Sequence, residues 1–402
     1  MSTLKTPRIT IIDSLRGLAL AGILICHMVE NYFGSIQPTE FTTAVNSSAI
    51  DSIIDGAVSF FLRGKFIALF SFLFGLSFFI QMDNGAKKGG NYGIRFLWRL
   101  VILLGIGYVH SLFYRGDILT IYAFLGIFLI PFYKIQNKWI LGLAALLFLG
   151  LGRYVIFAIT GGDRIFGGPF IIDPGAAWVL EYYEVIKNGS LLDVFEANSI
   201  SGHINKIEYQ FGFFGRGYYT FAFFLIGLYT GRSEFFKNFN ERKKLTKKVL
   251  IWASVILLIS FGLVAFIFSM LGENVQFNTW LSMLGLTAFE ISNMAMTFIW
   301  IALFVMLYRK IKGEKILENL APYGRMALTN YVLQSIIGTF LLYGWGLGYL
   351  GKLTNLYTFL IALVLIGIQV WGSKIWLRYF YYGPLEWLWR CLTFFKVFPM
   401  KK

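Results

Sequence analysis

Long apolar runs alternate with short polar connections along the 402 residues of the chain. A helix needs roughly 20 mostly apolar residues to cross the hydrocarbon core of a bilayer. The sequence therefore predicts an all-α fold, a polytopic transmembrane helix bundle of about ten helices within a single integral membrane domain over residues 1–402. We place the spans near residues 9–30, 57–81, 95–113, 118–133, 138–160, 209–231, 248–271, 281–308, 326–343 and 355–378.

Two segments outside these spans also have helical patterns. Residues 161–208 contain turn signals and a stretch, 175–198, whose apolar positions recur at helical spacing. We expect short amphipathic helices on the membrane surface there. Residues 380–398 interleave Trp and Phe with Arg and Lys, which predicts an interfacial helix on the opposite surface.

Basic residues are distributed unequally between the connections. They concentrate near residues 87–95, 134–138, 232–248 and 309–315, which fall on one side of the bundle together with both termini. The longer connections of the other side, 31–56, 161–208 and 272–280, are poor in Lys and Arg. The positive-inside rule then predicts a cell (cytoplasmic) membrane protein with both termini in the cytoplasm. We call the two sides the predicted inner face and the predicted outer face.

Composition supports a membrane protein and narrows its partners. The chain is 57% hydrophobic, 19% aromatic and only 14% charged, whereas a soluble domain carries about 25% charged residues. The net charge of +15 resides mainly in short connections, which indicates contact with membrane lipids and not with nucleic acid. Cys26 and Cys391 are far apart in the sequence, so no metal site is predicted. The sequence leaves open whether two copies of the chain form a homodimer.

The first predicted helix carries three ionisable residues, Asp13, Arg16 and His27. Charged groups at membrane depth are costly and therefore indicate function. Eleven positions separate Arg16 from His27, which places them within about 20° on one helix face and roughly 16 Å apart along the axis. Asp13 and Arg16 are one turn apart and can neutralise each other. A purely structural ion pair is the alternative interpretation.

A second set of ionisable residues is predicted at the outer ends of the first, third and fourth helices. His27, Glu30, His110 and Asp117 lie at similar predicted depth, and two imidazoles with two carboxylates can form a general base with an orienting partner. They are the candidate catalytic residues, with Arg16. The alternatives are ordinary interfacial polarity and, for Asp117, N-capping of its helix.

Other polar residues are candidate binding groups. Near the predicted inner face, Arg99 and Arg325 are placed to hold the phosphates of a nucleotide-like cofactor, or to anchor their helices. At the outer side, Arg63 and Lys65 are placed to serve an anionic group, or they snorkel to the interface. The candidate substrate-binding residues within the spans, which alternatively join helices through hydrogen bonds, are Glu290, Asn293, Asn330 and Gln334.

Several stretches resemble membrane acyltransferases. R-I-x-x-I-D-x-L-R-G followed by His27 is similar to the start of the acyltransferase three family, in which an Arg and a His share this spacing on the first helix. HSLFYRGDILTIYAFLG and GRMALTNYVLQS with YYGPLEWLWRCLTF resemble the YeiB-like family, which carries a domain of unknown function numbered 418. That family is grouped with the transmembrane acyltransferases, which include heparan-glucosaminide acetyltransferase.

The resemblance implies a bundle of ten or eleven helices that passes an acyl group across the membrane. It implies His27 as catalytic base or transient acyl carrier, and Arg16, Asp13, Arg99 and Arg325 near the acyl-CoA. Our leading hypothesis is a transmembrane acyltransferase that uses cytoplasmic acetyl-CoA or another acyl-CoA. The acceptor would be a hydroxyl or amine of a sugar or envelope glycan on the outer side. The alternatives are a transporter or lipid flippase without chemistry, and a non-catalytic scaffold.

Overall fold

The computed structural model describes residues 9–87, 92–167, 173–272 and 277–402. Within these ranges the regular structure is helical, and the two extended residues Phe380 and Lys401 form an isolated bridge. The predicted all-α fold is therefore confirmed. The helices are α1 (Thr10–Val29), α2 (Thr39–Val45), α3 (Ala49–Phe61), α4 (Lys65–Ala86), α5 (Tyr92–Phe113), α6 (Leu119–Leu129), α7 (Asn137–Phe148), α8 (Leu151–Thr160), α9 (Ala177–Asn188), α10 (Leu191–Asn198), α11 (Ile200–Phe211), α12 (Arg216–Arg232), α13 (Lys243–Leu271), α14 (Trp280–Tyr308), α15 (Ile311–Leu317), α16 (Ala321–Arg325), α17 (Ala327–Leu342), α18 (Asn355–Tyr379) and α19 (Pro384–Phe394).

Each predicted span coincides with a helix or with parts of two helices. Among the described residues, six helical stretches are long and apolar enough to cross a membrane: α1, α3 with α4, α5, α13, α14 and α18. The pair α7 and α8, bent by 53° at its break, makes a seventh if it counts as one span. The protein is therefore a multi-pass membrane protein. The other three predicted spans correspond to α6, α12 and α17, with 11, 17 and 16 residues.

Three predicted spans are interrupted where the apolar pattern continues. The predicted span 57–81 begins earlier, at Ala49, and breaks at residues 62–64. The span 138–160 breaks before Leu151, where Gly150 has φ +88°. The span 209–231 is divided between α11 and α12, because α11 ends at Phe211 and α12 begins at Arg216. A glycine with positive φ ends a helix without steric cost, and hydropathy alone does not reveal such a break.

Burial distinguishes the centre of the bundle from its lipid-facing surface. In the most apolar stretch of α1, 78% of the residues are buried inside the protein, compared with 17% for α13 and 22% for α18. Leu258 and Ile259 of α13 are 73% and 66% exposed, as expected where lipid covers the side chain. Helix α1 is thus the central helix, so its polar residues face protein on most sides.

Helices α4 and α12 pack so closely that glycine is required between them. A β-carbon placed on Gly75 would lie 2.0 Å from the carbonyl oxygen of Phe224, and one on Gly227 would lie 2.0 Å from that of Phe72. Small residues allow such approach between membrane helices. A β-carbon on Gly231 would lie 2.7 Å from the side chain of Phe79. Residue numbers rise together along the two helices, so α4 and α12 run parallel and their first turns are neighbours.

Both segments outside the predicted spans contain helices. Residues 175–198 form α9 and α10, and the sequence prediction missed α11, which follows them. Within residues 380–398, α19 forms a helix that packs against α5: Trp389 Nε1 donates to the carbonyl oxygen of Arg99 at 2.8 Å, and Trp98 Nε1 donates to that of Leu392 at 3.1 Å.

Candidate functional site

A cavity of about 1350 Å³ lies in the half of the bundle toward the predicted outer face. Its wall is formed by the end of α1, the break between α3 and α4, the turn between α5 and α6, and parts of α11, α12 and α14. This volume exceeds the roughly 300–1,000 Å³ of typical small-molecule sites. Of the predicted site residues, those that line it are His27, Glu30, Arg63, Lys65, Asp117, Glu290 and Asn293.

His27 is held in the cavity wall by aromatic and acidic neighbours. It belongs to the last turn of α1 and is 5% exposed. Its Nδ1 lies 3.1 Å from Tyr114 Oη and 3.9 Å from Glu30 Oε2. The rings of Tyr114 and Tyr32 pack against the imidazole, with centroids at 5.0 and 5.4 Å. One ring nitrogen is thus fixed by protein groups.

Glu30 also belongs to a chain of ion pairs along the wall. Its carboxylate accepts a hydrogen bond from Arg63 Nε at 2.6 Å, and Arg63 Nη2 donates to Asp55 at 2.9 Å. The Arg63 guanidinium is therefore shared by two carboxylates. This ion pairing orients the carboxylate that faces His27.

His110 and Asp117 form a separate buried cluster beside the cavity. His110 Nδ1 lies 2.7 Å from Asp117 Oδ1, and both side chains are fully buried. Asp117 also accepts from the backbone amides of Leu119 and Thr120, at 3.0 Å each, and Lys206 Nζ lies 3.6 Å from its Oδ2. Asp117 therefore caps α6 and orients His110. The predicted set of two imidazoles is divided into two clusters, and Glu30 is the carboxylate beside His27.

The charge of Asp117 is stabilised by its neighbours. Burial by itself would raise the pKa of Asp117, but the hydrogen bond with His110 and the Lys206 ammonium outweigh burial. The pKa therefore lies well below the ordinary aspartate range. Burial lowers the pKa of Lys206, and the facing Asp117 opposes that shift.

Arg16 faces the protein interior, but it lies apart from the cavity. Its Nη1 donates to Asp13 Oδ1 and its Nη2 to Ser77 Oγ, both at 2.9 Å. Between Arg16 and His27 the helix carries Leu20 and Ile23, which are 0% and 2% exposed. The two groups therefore share an inward face of α1, as predicted, while buried apolar side chains separate them.

The other predicted residues of the inner half have structural contacts. The Arg99 guanidinium lies 3.6 Å from the ring centroid of Trp389 on α19, and Arg325 ends the short helix α16. Asn330 donates to Ser373 Oγ at 3.0 Å, and Gln334 donates to Gln369 Oε1 at 2.9 Å. These amides join α17 to α18 through hydrogen bonds. This agrees with the alternative interpretation of Asn330 and Gln334 as residues that connect helices.

Glu290 and Asn293 of α14 lie on the cavity wall together. Glu290 accepts a hydrogen bond from Arg216, the first residue of α12, and Asn293 Nδ2 lies 3.4 Å from the same carboxylate. Sequence reasoning missed Arg216, although an arginine inside a predicted span is itself a signal. It also missed Tyr114 and Lys206, which carry no signal of depth because they stand in polar connections.

Comparison with known proteins places these features in a family. Residues 230–396 match the model of a family described as a protein of unknown function (DUF418). The uncharacterized protein YxaH of Bacillus subtilis is 31% identical over all of this chain and 98% of its own length. An uncharacterized protein from the amylase 3' region of Bacillus acidopullulyticus is 27% identical over 98% of this chain and 96% of its own. The uncharacterized protein YeiB of Escherichia coli is 26% identical, with 95% of each chain covered.

Proposed function

From the premise that the chain belongs to the DUF418 family, we propose that it is a membrane acyltransferase whose acceptor binds in the outer cavity. The acyl group passes from an acyl-CoA, acetyl-CoA in the first place, to a hydroxyl or amine of a sugar or glycan. The observation that carries the proposal is the imidazole of His27 in the wall of a large cavity, fixed at Nδ1 by protein groups.

The surroundings of His27 suit a general base. If Nδ1 carries the proton and donates it to Tyr114 Oη, the lone pair of Nε2 is left to accept a proton. The acceptor hydroxyl or amine then attacks the thioester carbonyl carbon as His27 removes its proton. Collapse of the tetrahedral intermediate breaks the carbon–sulfur bond, and the proton passes from His27 to the leaving thiolate. Glu30, with an oxygen 3.9 Å from Nδ1, stabilises the transient imidazolium.

The composition of the cavity suits a sugar acceptor. Its wall combines charged groups with the aromatic side chains of Trp178, Tyr209 and Phe214. Aromatic faces pack against the apolar faces of sugar rings, while charged and amide groups bind hydroxyls. A volume of about 1350 Å³ accommodates more than one sugar unit, which favours a glycan over a monosaccharide.

The donor must reach His27 from the predicted inner face, because the charged head of CoA cannot cross lipid cheaply. In this conformation the route along α1 is packed: a β-carbon on Gly17, beside Arg16, would lie 2.4 Å from the carbonyl oxygen of Leu320. Arg16 itself is engaged with Asp13 and Ser77. We propose that acyl-CoA binds after α1 and the segment that contains α16 move apart.

The same packing favours a transporter as the second candidate function. In alternating access, a transporter has one state whose substrate cavity opens to one face while packed helices close it from the other face. The cavity and the packing along α1 match such a state. Glu290 paired with Arg216 would then lie on the translocation path. In that case substrate would cross the membrane without any acyl-CoA.

The two candidates are separated by one set of assays on the purified full chain in proteoliposomes. Acyl transfer is measured with labelled acetyl-CoA and a panel of sugars and glycans, and uptake is measured with labelled sugars alone. We expect His27→Ala to lose transfer by at least about a hundredfold, the scale of general-base catalysis. His203→Ala is the matched control, since His203 lies outside the cavity wall, and it should retain activity. Full transfer by His27→Ala contradicts the catalytic assignment, and uptake that needs no acyl-CoA favours the transporter.

The proposal also needs an orientation in the cell membrane with both termini in the cytoplasm. Single cysteines at Ser47, beside the cavity, and at Lys312, on the opposite connection, test it in intact cells after Cys26→Ser and Cys391→Ser. A membrane-impermeant maleimide should label the cysteine at Ser47 and leave the one at Lys312 unlabelled. The reverse pattern would place the cavity in the cytoplasm.

A further inference from the structure

The interrupted span between α3 and α4 places a helix N-terminus in the cavity wall. Helix α3 ends at Phe61, Gly64 has φ +80°, and α4 begins at Lys65. Glycine is favoured at this φ. The break turns the first residues of α4 toward the cavity, and Gly64, Lys65 and Ile67 all line it.

A second helix begins at the same place. Helix α12 starts at Arg216, which also lines the cavity. The Arg216 Nη2 lies 3.5 Å from the carbonyl oxygen of Gly64. Because α4 and α12 run parallel and pack along their lengths, their N-terminal ends lie side by side. Each end carries about half a positive charge from the helix dipole, and parallel dipoles add at this position.

Lys65 adds a full charge that protein carboxylates leave uncompensated. It is only 5% exposed, and burial of a cation is costly unless the cation is paired. Its ammonium donates to the carbonyl oxygen of Ser59 at 2.8 Å and lies 6.0 Å from the ring centroid of Phe289. No carboxylate within the described part of the chain lies within ion-pair distance of it.

The neighbouring carboxylates are engaged elsewhere. Glu30 and Asp55 both accept hydrogen bonds from Arg63, and Glu290 accepts from Arg216. From the sequence, we predicted that Arg63 and Lys65 together could bind an anionic group. In the structure Arg63 is neutralised by two carboxylates, so Lys65 is the cation that remains available.

We propose that Lys65 and Arg216, at the joined N-termini of α4 and α12, form a subsite for an oxyanion carried by the ligand of the cavity. The group is a phosphate or a carboxylate, and Lys65 provides the decisive charge. The Asn293 amide, with Nδ2 3.7 Å from the β-carbon position of Gly64, supplies a further donor. The inference rests on the proposed function in taking the ligand as the acceptor, which would then be an anionic sugar or glycan.

Binding to the purified full chain in phosphatidylcholine nanodiscs tests the subsite without any chemistry. The probes are glucose, glucose 6-phosphate and glucuronate, which differ in charge on a common ring. We expect the anionic sugars to bind at least about tenfold more tightly than glucose, since one charge-assisted contact is worth roughly that factor. Equal affinities for charged and neutral sugars would overturn the proposal.

Three variants identify the residue responsible. Lys65→Gln should abolish the preference for charge, and Lys65→Arg should retain it, which separates loss of charge from loss of folding. Lys87→Gln is the matched control, because Lys87 pairs with Asp83 at the far end of α4. A preference that persists unchanged in Lys65→Gln while the protein remains folded would refute the assignment.

Two further experiments are needed. The first decides whether the oxyanion belongs to a lipid headgroup or to a soluble ligand, and the second tests the subsite independently of the proposed function. If phosphatidylglycerol in the nanodisc competes with glucose 6-phosphate in the wild type and not in Lys65→Gln, the subsite holds a lipid headgroup. His27→Ala should keep the preference in binding even though transfer is lost. Charge-dependent binding without acyl transfer would retain the subsite and reject the transferase, whereas transfer with equal affinity for neutral and charged sugars would do the opposite.

Discussion

Lys206 fastens a surface helix to the membrane bundle, and its replacement tests that attachment. It projects from α11 with 9% of its surface exposed. Its ammonium lies 3.6 Å from Asp117 Oδ2 and 3.3 Å from Thr120 Oγ1. The perturbation is Lys206→Met, which keeps an unbranched apolar side chain of nearly the same length and removes the ammonium group with its charge and hydrogen bond.

The expected loss of folding free energy depends on which interactions the remaining partner keeps after the substitution. Removal of one member of a buried ion pair typically costs about 3–5 kcal/mol, because the other charge is left uncompensated. Asp117 keeps hydrogen bonds with His110 and with the amides of Leu119 and Thr120. We therefore expect Lys206→Met to cost only about 2 kcal/mol. Asp117→Asn leaves a buried ammonium without an ionised partner, so its cost should reach about 4 kcal/mol.

A double-mutant cycle isolates the pair. Groups in direct contact couple by roughly 0.5–3 kcal/mol, so the double variant should be more stable than the sum of the single losses by at least about 1 kcal/mol. Apparent unfolding free energies from denaturant titration in detergent provide the measurement, and hydrogen exchange of α11 should rise in Lys206→Met. The control is Lys187→Met on α9, whose nearest carboxylate, Glu40, is 3.8 Å away and exposed; it should change stability by less than about 0.5 kcal/mol. Strictly additive losses, or unchanged exchange in α11, would refute the attachment.

The same cluster predicts a pH dependence with a definite sign. The folded-state pKa of Asp117 is depressed, so its contribution to stability is fully present above the unfolded value of about 3.9. That contribution is lost as the pH falls through the folded pKa. Wild-type protein should therefore lose stability on acidification below about pH 4, and Asp117→Asn should lack this component. A parallel pH profile for the two proteins would contradict the assignment of the charge.

Two shorter predictions concern packing and the proposed base. Gly75→Ala should destabilise by more than about 2 kcal/mol, because its β-carbon would lie 2.0 Å from a carbonyl oxygen of α12; Gly105→Ala, with no heavy atom within 4 Å, should be near neutral in the same unfolding titration. Tyr114→Phe removes the hydroxyl 3.1 Å from His27 Nδ1 and should lower kcat of acyl transfer by about tenfold or more with little change in KM; an unchanged kcat would show that the hydroxyl does not position the imidazole.

The spans were predictable because a bilayer imposes one length on every helix that crosses it. Helices α1, α13, α14 and α18 begin and end within a few residues of the predicted positions. The same constraint hides breaks inside an apolar run. The interruption at residues 62–64 lies between Phe61 and Lys65, yet residues 49–86 as a whole are apolar enough to be taken for a single span.

The cavity was less predictable, because its wall is assembled by contacts between distant parts of the chain. The spacing of Asp13 and Arg16 along one helix predicts their pairing, and they do pair at 2.9 Å. The pair of Arg216 and Glu290 joins residues 74 positions apart, and no local pattern relates them. The sequence thus indicated which polar residues are candidates for a site, and not which of them face one another.

The arrangement along α1 constrains any mechanism that links the two faces. Arg16 and His27 lie on one inward-facing side of α1. Leu20 and Ile23, which lie between them, are buried. Of the two polar residues, His27 lines the cavity and Arg16 does not. Close packing at Gly17 and Leu320 resists gradual deformation, because tightly packed helices change between discrete arrangements. A donor from the inner face, or a substrate that leaves through it, therefore requires a second arrangement of α1 against the segment around Leu320. The position of α1 is the structural variable shared by the acyltransferase and the transporter hypotheses, and the need for acyl-CoA is what separates them.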